Sequence, residues 1–234
     1  MDVKIDKSIS IILPLYNEEE NIAKVIRKVI EVLKSITDRY EIILVDDGSI
    51  DKTPGIIKEL QQHNKYTHCV RHDTNLGYGA ALASGFHVAQ HDLLFFMDAD
   101  GQFDISEIKH FISFIESYDF VIGCRIKRSD PWYRVFIGNC YSWLIRKLFK
   151  LNVKDINCGF KLFKRLVFSV IKIKTTGLLV NAEMLVKAKS AGYSIKEIGI
   201  THYPRLKGKQ KGLQFKLFPV FLREIIYLYT GKLN

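Results

Sequence analysis

Asp98 and Asp100 flank Ala99 directly after the apolar run Leu93-Leu94-Phe95-Phe96-Met97. Side chains alternate along extended backbone, so the two carboxylates of an Asp-x-Asp fall on one side. Hard oxygens at that spacing suit Mg2+ or Mn2+, which keep coordination positions open for the oxygens of a diphosphate. Gln102 offers a third, neutral oxygen. An ion held there would offset the charge that builds on a departing nucleoside diphosphate. Ordinary acidic loops carry the same three letters. It is the position after a five-residue apolar strand that gives them weight.

Two other acidic clusters precede it. Asp46-Asp47-Gly48-Ser49 reads as a turn, or as a carboxylate that hydrogen-bonds the base or ribose of a nucleotide. Asn17-Glu18-Glu19-Glu20 reads as a helix start, where acids offset the helix dipole. The elements that must position these groups alternate at a steady pace. Residues 9–13 form a buried strand closed by Pro14, and Asn17 caps a helix to about residue 35. A strand at 42–45, a helix at 53–62 and a strand at 68–71 follow. Gly77-Tyr78-Gly79 opens an Ala-rich helix to about residue 90, and 93–97 is the fourth strand. Uninterrupted apolar strands alternating with helices predict an α/β fold: a mostly parallel, Rossmann-like sheet with helices on both faces. Ligands collect beyond the carboxyl ends of such strands. Both the 46–47 and the 98–100 motifs lie there.

The second half is less regular. A strand at 120–123 hands over to a basic loop at 125–134. Residues 132–150 predict an amphipathic helix on which Trp132, Phe136, Cys140, Leu144 and Leu148 recur every four residues. A helix at 182–191, a strand at 195–200, a basic loop at 202–211 and an aromatic tail complete the chain.

Composition points the same way. Of 234 residues, 35 are Lys or Arg and 25 Asp or Glu, a formal charge of +10 that favours anionic partners. Cys69, Cys124, Cys140 and Cys158 show neither a CxxC pair nor zinc spacing, the pattern of reduced, buried thiols. No run reaches the roughly 18 apolar residues of a membrane-spanning helix, and Met1-Asp2-Val3-Lys4 lacks the continuous apolar stretch expected of a signal peptide.

Four motifs in order, Pro14-Leu15-Tyr16-Asn17-Glu18-Glu19, Val45-Asp46-Asp47-Gly48-Ser49, Asn75-Leu76-Gly77-Tyr78-Gly79 and Met97-Asp98-Ala99-Asp100-Gly101-Gln102, resemble the family 2 glycosyltransferases of the GT-A fold. The resemblance spans about residues 8–207. Ile122-Gly123-Cys124-Arg125, the segment 153–163 and His202-Tyr203-Pro204-Arg205 are similar to the polyprenyl-phosphate branch, which includes dolichyl-phosphate mannose synthases and undecaprenyl-phosphate glucosyltransferases. The resemblance implies that Pro14, Tyr16, Glu18 and Asp46 line a nucleoside pocket. It gives Asp98, Asp100 and Gln102 to Mg2+ or Mn2+. Arg125 and Arg134 would meet an acceptor phosphate, and Arg205 the donor diphosphate or that phosphate. Cys124 and Cys158 depart from the small hydroxyl residues usual in the family.

A phosphate monoester is largely dianionic at neutral pH and attacks without a strong base, in keeping with arginines in place of a His–carboxylate dyad. The expected reaction is in-line displacement with inversion. Asp155 is expected either to orient one of those arginines or to sit in a structural turn. A relative acting on a soluble or polysaccharide hydroxyl would need a carboxylate base, for which Glu183 or Asp155 stands available. A non-catalytic membrane or nucleic-acid binding module would explain the charge, but the sequence holds no nucleic-acid motif. A catalytic domain over 1–207 and a basic, aromatic tail over 208–234 are expected. The 132–150 helix and the tail suit a membrane interface, the tail also suits a dimer contact, and a membrane-protein partner is a further option. The expected location is cytoplasmic and peripheral to the membrane.

Overall fold

The computed structural model describes residues 5–126, 128–177, 179–205, 207–208 and 218–230. Lys209, Lys211 and the first part of the expected basic, aromatic tail lie outside the described residues.

Seven strands form one sheet in the order β3-β2-β1-β4-β6-β5-β7. They are β1 (Ile9–Leu15), β2 (Tyr40–Asp46), β3 (Thr67–Arg71), β4 (Leu93–Met97), β5 (Phe120–Ile126), β6 (Phe160–Lys164) and β7 (Ile195–Thr201). Only β6 runs against its neighbours, antiparallel to both β4 and β5. The chain winds outward from β1 to β3 and then returns to lay β4 on the other side of β1. That reversal leaves a crevice beyond the carboxyl ends of β1 and β4.

Alternation along β1 assigns residues to the two faces. Ile9, Ile11, Leu13 and Leu15 pack with Ile22, Ile26, Val29 and Leu33 of α1 (Ile22–Ile36), while Ile12 joins Ile43, Val45, Leu94 and Phe96 on the other side. The second face is covered by α3 (Tyr78–Val88) and α7 (Val180–Ser190), which contribute Leu82, Phe86, Met184 and Leu185. The remaining helices are α2 (Thr53–His63), α4 (Ile108–Ile112), α5 (Trp132–Phe149), α6 (Leu166–Val170) and α8 (Phe218–Thr230).

Three of the differences from expectation have a clear local reason. Pro14 does not close β1, which continues to Leu15; the ladder to β4 has already ended at Ile12, so proline costs no hydrogen bond on that side. Asn17 does not cap α1. It adopts a left-handed φ of 50°, and its side chain accepts from the Ile50 amide, so α1 begins only at Ile22. Arg125 belongs to β5, not to a loop, because β7 pairs with that strand as far as Ile126.

Gly85 marks the tightest approach of α3 to the sheet: an added Cβ would sit 2.4 Å from Ile12 Cγ2 and 3.1 Å from Val45 Cγ2. Gly55 in α2 has no atom within 4 Å of the same position. Overpacking costs about 1–3 kcal/mol, against roughly 1 kcal/mol gained when helical glycine becomes alanine. Gly85→Ala is therefore expected to lower stability in urea unfolding, and Gly55→Ala to raise it by up to about 1 kcal/mol. A stabilising Gly85→Ala would contradict this packing.

Candidate active site

The acidic turn begins where β4 stops. Asp98 N–H donates to the Gly159 carbonyl (3.1 Å), carrying the β4–β6 pairing one step further and fixing the start of the turn. Asp98 Oδ1 accepts from the Tyr78 hydroxyl at 2.8 Å, and Asp100 Oδ1 accepts from the Gln102 amide at 3.0 Å. Burial, with the Asp100 charge beside it, pushes the Asp98 carboxyl up to about 7; burial raises Asp100 as well. Two crowded carboxylates at the mouth of a crevice fit a hard divalent cation, whose charge would relieve both.

Arg205 closes the other side. Its Nη2 lies 2.7 Å from both Glu18 oxygens, its Nη1 lies 3.6 Å from Asp100 Oδ2, and its Nε donates to the Lys207 carbonyl. Asn21 donates to Glu18 Oε2 at 2.9 Å. The segment carrying Arg205 is strapped to the acidic turn by paired bonds: Tyr203 N–H to the Gln102 carbonyl (2.9 Å) and Gln102 Nε2 to the Tyr203 carbonyl (3.0 Å). Asp98, Asp100, Gln102, Glu18 and Arg205 thus come together as one cluster.

Pro14 and Tyr16 stand half-buried at the end of β1, beside the end of β2. Asp46 there is fully buried; Oδ1 accepts from the Ser49 amide (2.9 Å), and Oδ2 has no hydrogen-bond partner, with Arg71 Nε 3.5 Å away. Asp47 serves the fold, accepting from the Leu76 and Gly77 amides and from His72, each within 2.9 Å.

A second group is built on β5. Arg125 forks Asp155 through Nε (2.7 Å) and Nη2 (2.8 Å), and its Nη1 lies 3.9 Å from Asp130. Burial alone would raise Asp155, but the Arg125 fork outweighs it and holds the carboxyl below its usual value. Asp155 is thereby the orienting partner of Arg125. His202, buried and close to Arg125, is pushed down to about 4 and is neutral at pH 7. Arg134 stands in the first turn of α5 with its Nε buried and without a hydrogen-bond partner; among the described residues no ion pair joins it to Asp98 or Asp100.

Glu183 is a structural tie. Fully buried, it accepts from the Lys174 and Thr175 amides, the Thr175 hydroxyl and Lys187 Nζ. Sequence reasoning missed Tyr78 as the partner of Asp98, and it missed Lys161, a fully buried lysine on β6 pushed down to about 8 by burial. A lysine inside the otherwise apolar run Phe160-Lys161-Leu162-Phe163 was the available signal for the second.

The family model described as Glycosyl transferase family 2 matches residues 10–171. The chain belongs to that family. It is 30% identical over 207 residues to Glycosyltransferase AglD of Haloferax volcanii, which covers 84% of this chain and 33% of that protein, so it spans a third of AglD. It is 28% identical over 235 residues to the undecaprenyl-phosphate 4-deoxy-4-formamido-L-arabinose transferase of Edwardsiella ictaluri, covering 100% of this chain and 71% of that one. The fold superposes on glucosyl-3-phosphoglycerate synthase from Mycobacterium tuberculosis, crystallised with Mn2+, UDP and glucosyl-3-phosphoglycerate, at a TM-score of 0.68. That match covers 97% of this chain and 80% of the synthase at 18% identity, a likeness of fold alone. The fold expected of a family 2 glycosyltransferase, GT-A, is the one found.

A cation on Asp98 must displace a proton wherever pH lies below that carboxyl's value of about 7. Mn2+ affinity, titrated calorimetrically with UDP present, is therefore expected to fall as pH drops through 7, approaching tenfold per unit below it. An affinity that does not change from about pH 8 to about pH 6 would contradict the role of Asp98.

Proposed function

We propose that this glycosyltransferase moves a sugar, with inversion, from a nucleotide-diphosphate sugar to a polyprenyl phosphate at a membrane surface. The observation that carries the acceptor is the engagement of the surrounding carboxylates. Arg125 forks Asp155, Arg205 Nη2 holds both Glu18 oxygens, two Arg128 nitrogens hold Asp130 Oδ2, and five donors surround Glu183. A hydroxyl acceptor needs a carboxylate base facing it. A phosphate monoester, with its second pKa near 6, does not. The undecaprenyl phosphate in the name of the Edwardsiella relative supports the same acceptor class.

On the donor side, Pro14, Tyr16 and Glu18 line the nucleoside pocket, and the buried Asp46 Oδ2 is an acceptor for the nucleoside. Asp98 and Asp100 hold Mg2+ or Mn2+, with Gln102 as third ligand through its amide oxygen, since its nitrogen is engaged by Tyr203. When bound, the ion supplies positive charge against the leaving diphosphate. Arg205, already beside Asp100, adds to that charge from the protein side. Arg125 is held rigid by Asp155 and orients the nucleophile through Nη1; Arg134 offers its unpartnered Nε to the same phosphate.

The amphipathic stripe of α5 faces outward: Trp132 is 79% exposed and Phe136 63%, while the buried side of the helix is formed by Ser142 and Ile145. Arg146 and Lys147 accompany it. On α8, Leu222, Ile226 and Tyr229 are exposed, while Glu224 and Tyr227 face the body. Aromatic side chains with neighbouring cations suit a lipid interface, each cation contributing about 1 kcal/mol near an anionic surface. Among the described residues no helix is long and apolar enough to cross a membrane. A catalytic domain over 1–207, a membrane-facing tail over 208–234, and a peripheral position on the cytoplasmic face belong to the same proposal.

Asp100→Ala is expected to reduce transfer at least 100-fold, on the order of one lost charge-stabilising group, while leaving thermal unfolding cooperative. With wild-type protein, radiolabelled sugar is expected in the butanol-extractable lipid. Label found only in water-soluble product would overturn the lipid acceptor.

A further inference from the structure

Lys161 is fully buried on β6, opposite Phe96 of β4, with its Nζ 5.1 Å from that ring. Among the described residues it has no carboxylate within ion-pair distance. Such a cation is costly, and a well-packed apolar side chain of similar volume often serves a core as well or better. Its partners show what it is for. Nζ donates to Asn181 Oδ1 at 2.6 Å and to the Cys158 carbonyl. An ammonium group has three donors and no acceptor, so the Asn181 atom facing it has to be the oxygen. The amide nitrogen is thereby turned the other way, toward Tyr78, where its N–H favours electron density on the hydroxyl oxygen. The single Tyr78 proton is then directed to Asp98 Oδ1, 2.8 Å away.

We propose that Lys161, Asn181 and Tyr78 form a one-way hydrogen-bond chain that positions Asp98 for the metal ion. They are positioning residues acting through Asp98, and the proposal rests on the metal site assigned above. The charge at the far end sets the direction of every proton along the chain, and bonds in such a chain strengthen one another. Gly159 completes the mount. A Cβ there would lie 2.1 Å from Asp98 Oδ2, so the carboxylate is held between the Tyr78 hydroxyl and backbone without a side chain. Outer partners that orient a metal ligand typically contribute 10–100-fold in metal affinity.

The deciding variant is Asn181→Asp. It nearly preserves shape and gives Lys161 a carboxylate partner, but it removes the N–H that faces Tyr78. The Tyr78 proton then turns to residue 181 and leaves Asp98. Mn2+ binding is read from the free-ion electron paramagnetic resonance signal, and folding from thermal unfolding. Asn181→Asp and Tyr78→Phe are each expected to weaken Mn2+ binding roughly tenfold with unfolding temperature held or raised for Asn181→Asp. The double variant is expected to bind no more weakly than either single one, because one break already frees Asp98. Wild-type affinity in both single variants would overturn the chain while leaving the metal site standing, as would losses that multiply in the double variant. Absence of Mn2+ binding by the wild-type protein would instead overturn the metal site, and the chain with it. Tyr78→Phe removes one oxygen atom and decides the matter should Asn181→Asp fail to fold.

Discussion

Asp98 and Asp100 stand side by side in the crevice between the two halves of the sheet, where water screens their repulsion poorly. Much of the surrounding structure answers that repulsion. Tyr78 donates to one carboxylate, which the Lys161 charge also favours, and the Gln102 amide and Arg205 face the other. Both Glu18 oxygens hold Arg205 Nη2 from the other side, and Glu18 is in turn steadied by Asn21 at the start of α1. Residues from both ends of the domain are thus committed to one patch of charge.

The same constraint separates the site into two halves with different chemistry. The half nearest β1, β2 and β4 collects carboxylates and suits a cation bound to a diphosphate. The half built on β5 and the start of α5 collects arginines, two of them oriented by an acid: Asp155 for Arg125 and Asp130 for Arg128. Gln102 and Tyr203 join the two halves through reciprocal backbone and side-chain bonds, so neither moves without the other.

The first half of the fold was legible in the sequence because its strands are apolar without interruption and its helices amphipathic. Residues 93–97 were placed to the residue, and 9–13, 42–45 and 68–71 to within two. β6 was not assigned as a strand, since Lys161 breaks its apolar pattern and its partner β4 lies far back in the chain. Asn17 misled for a related reason: Asn before a run of Glu is a good helix start, but its side chain is drawn to Ile50 instead. The motif residues Asp98, Asp100, Arg125 and Arg205 were legible as chemistry. Asp155 was legible as one of two alternatives, the orienting partner of an arginine, but Tyr78 and Asn181 were not, because they reach the site only through tertiary packing.

The reversed strand β6 also bears on how the chain reaches this fold. Until Phe160–Lys164 arrives, β4 has a partner only at β1, and its other side is the open edge of a half-built sheet. Leu93-Leu94-Phe95-Phe96-Met97 is the kind of edge that recruits foreign strands. The chain must pass through β5 and α5 before that edge is covered, a long-range closure of the kind that slows folding. The strand that carries the acidic turn is therefore the one most exposed to mispairing during synthesis, and its capture by β6 protects the nascent sheet in the same step that brings Gly159 and Lys161 beside Asp98.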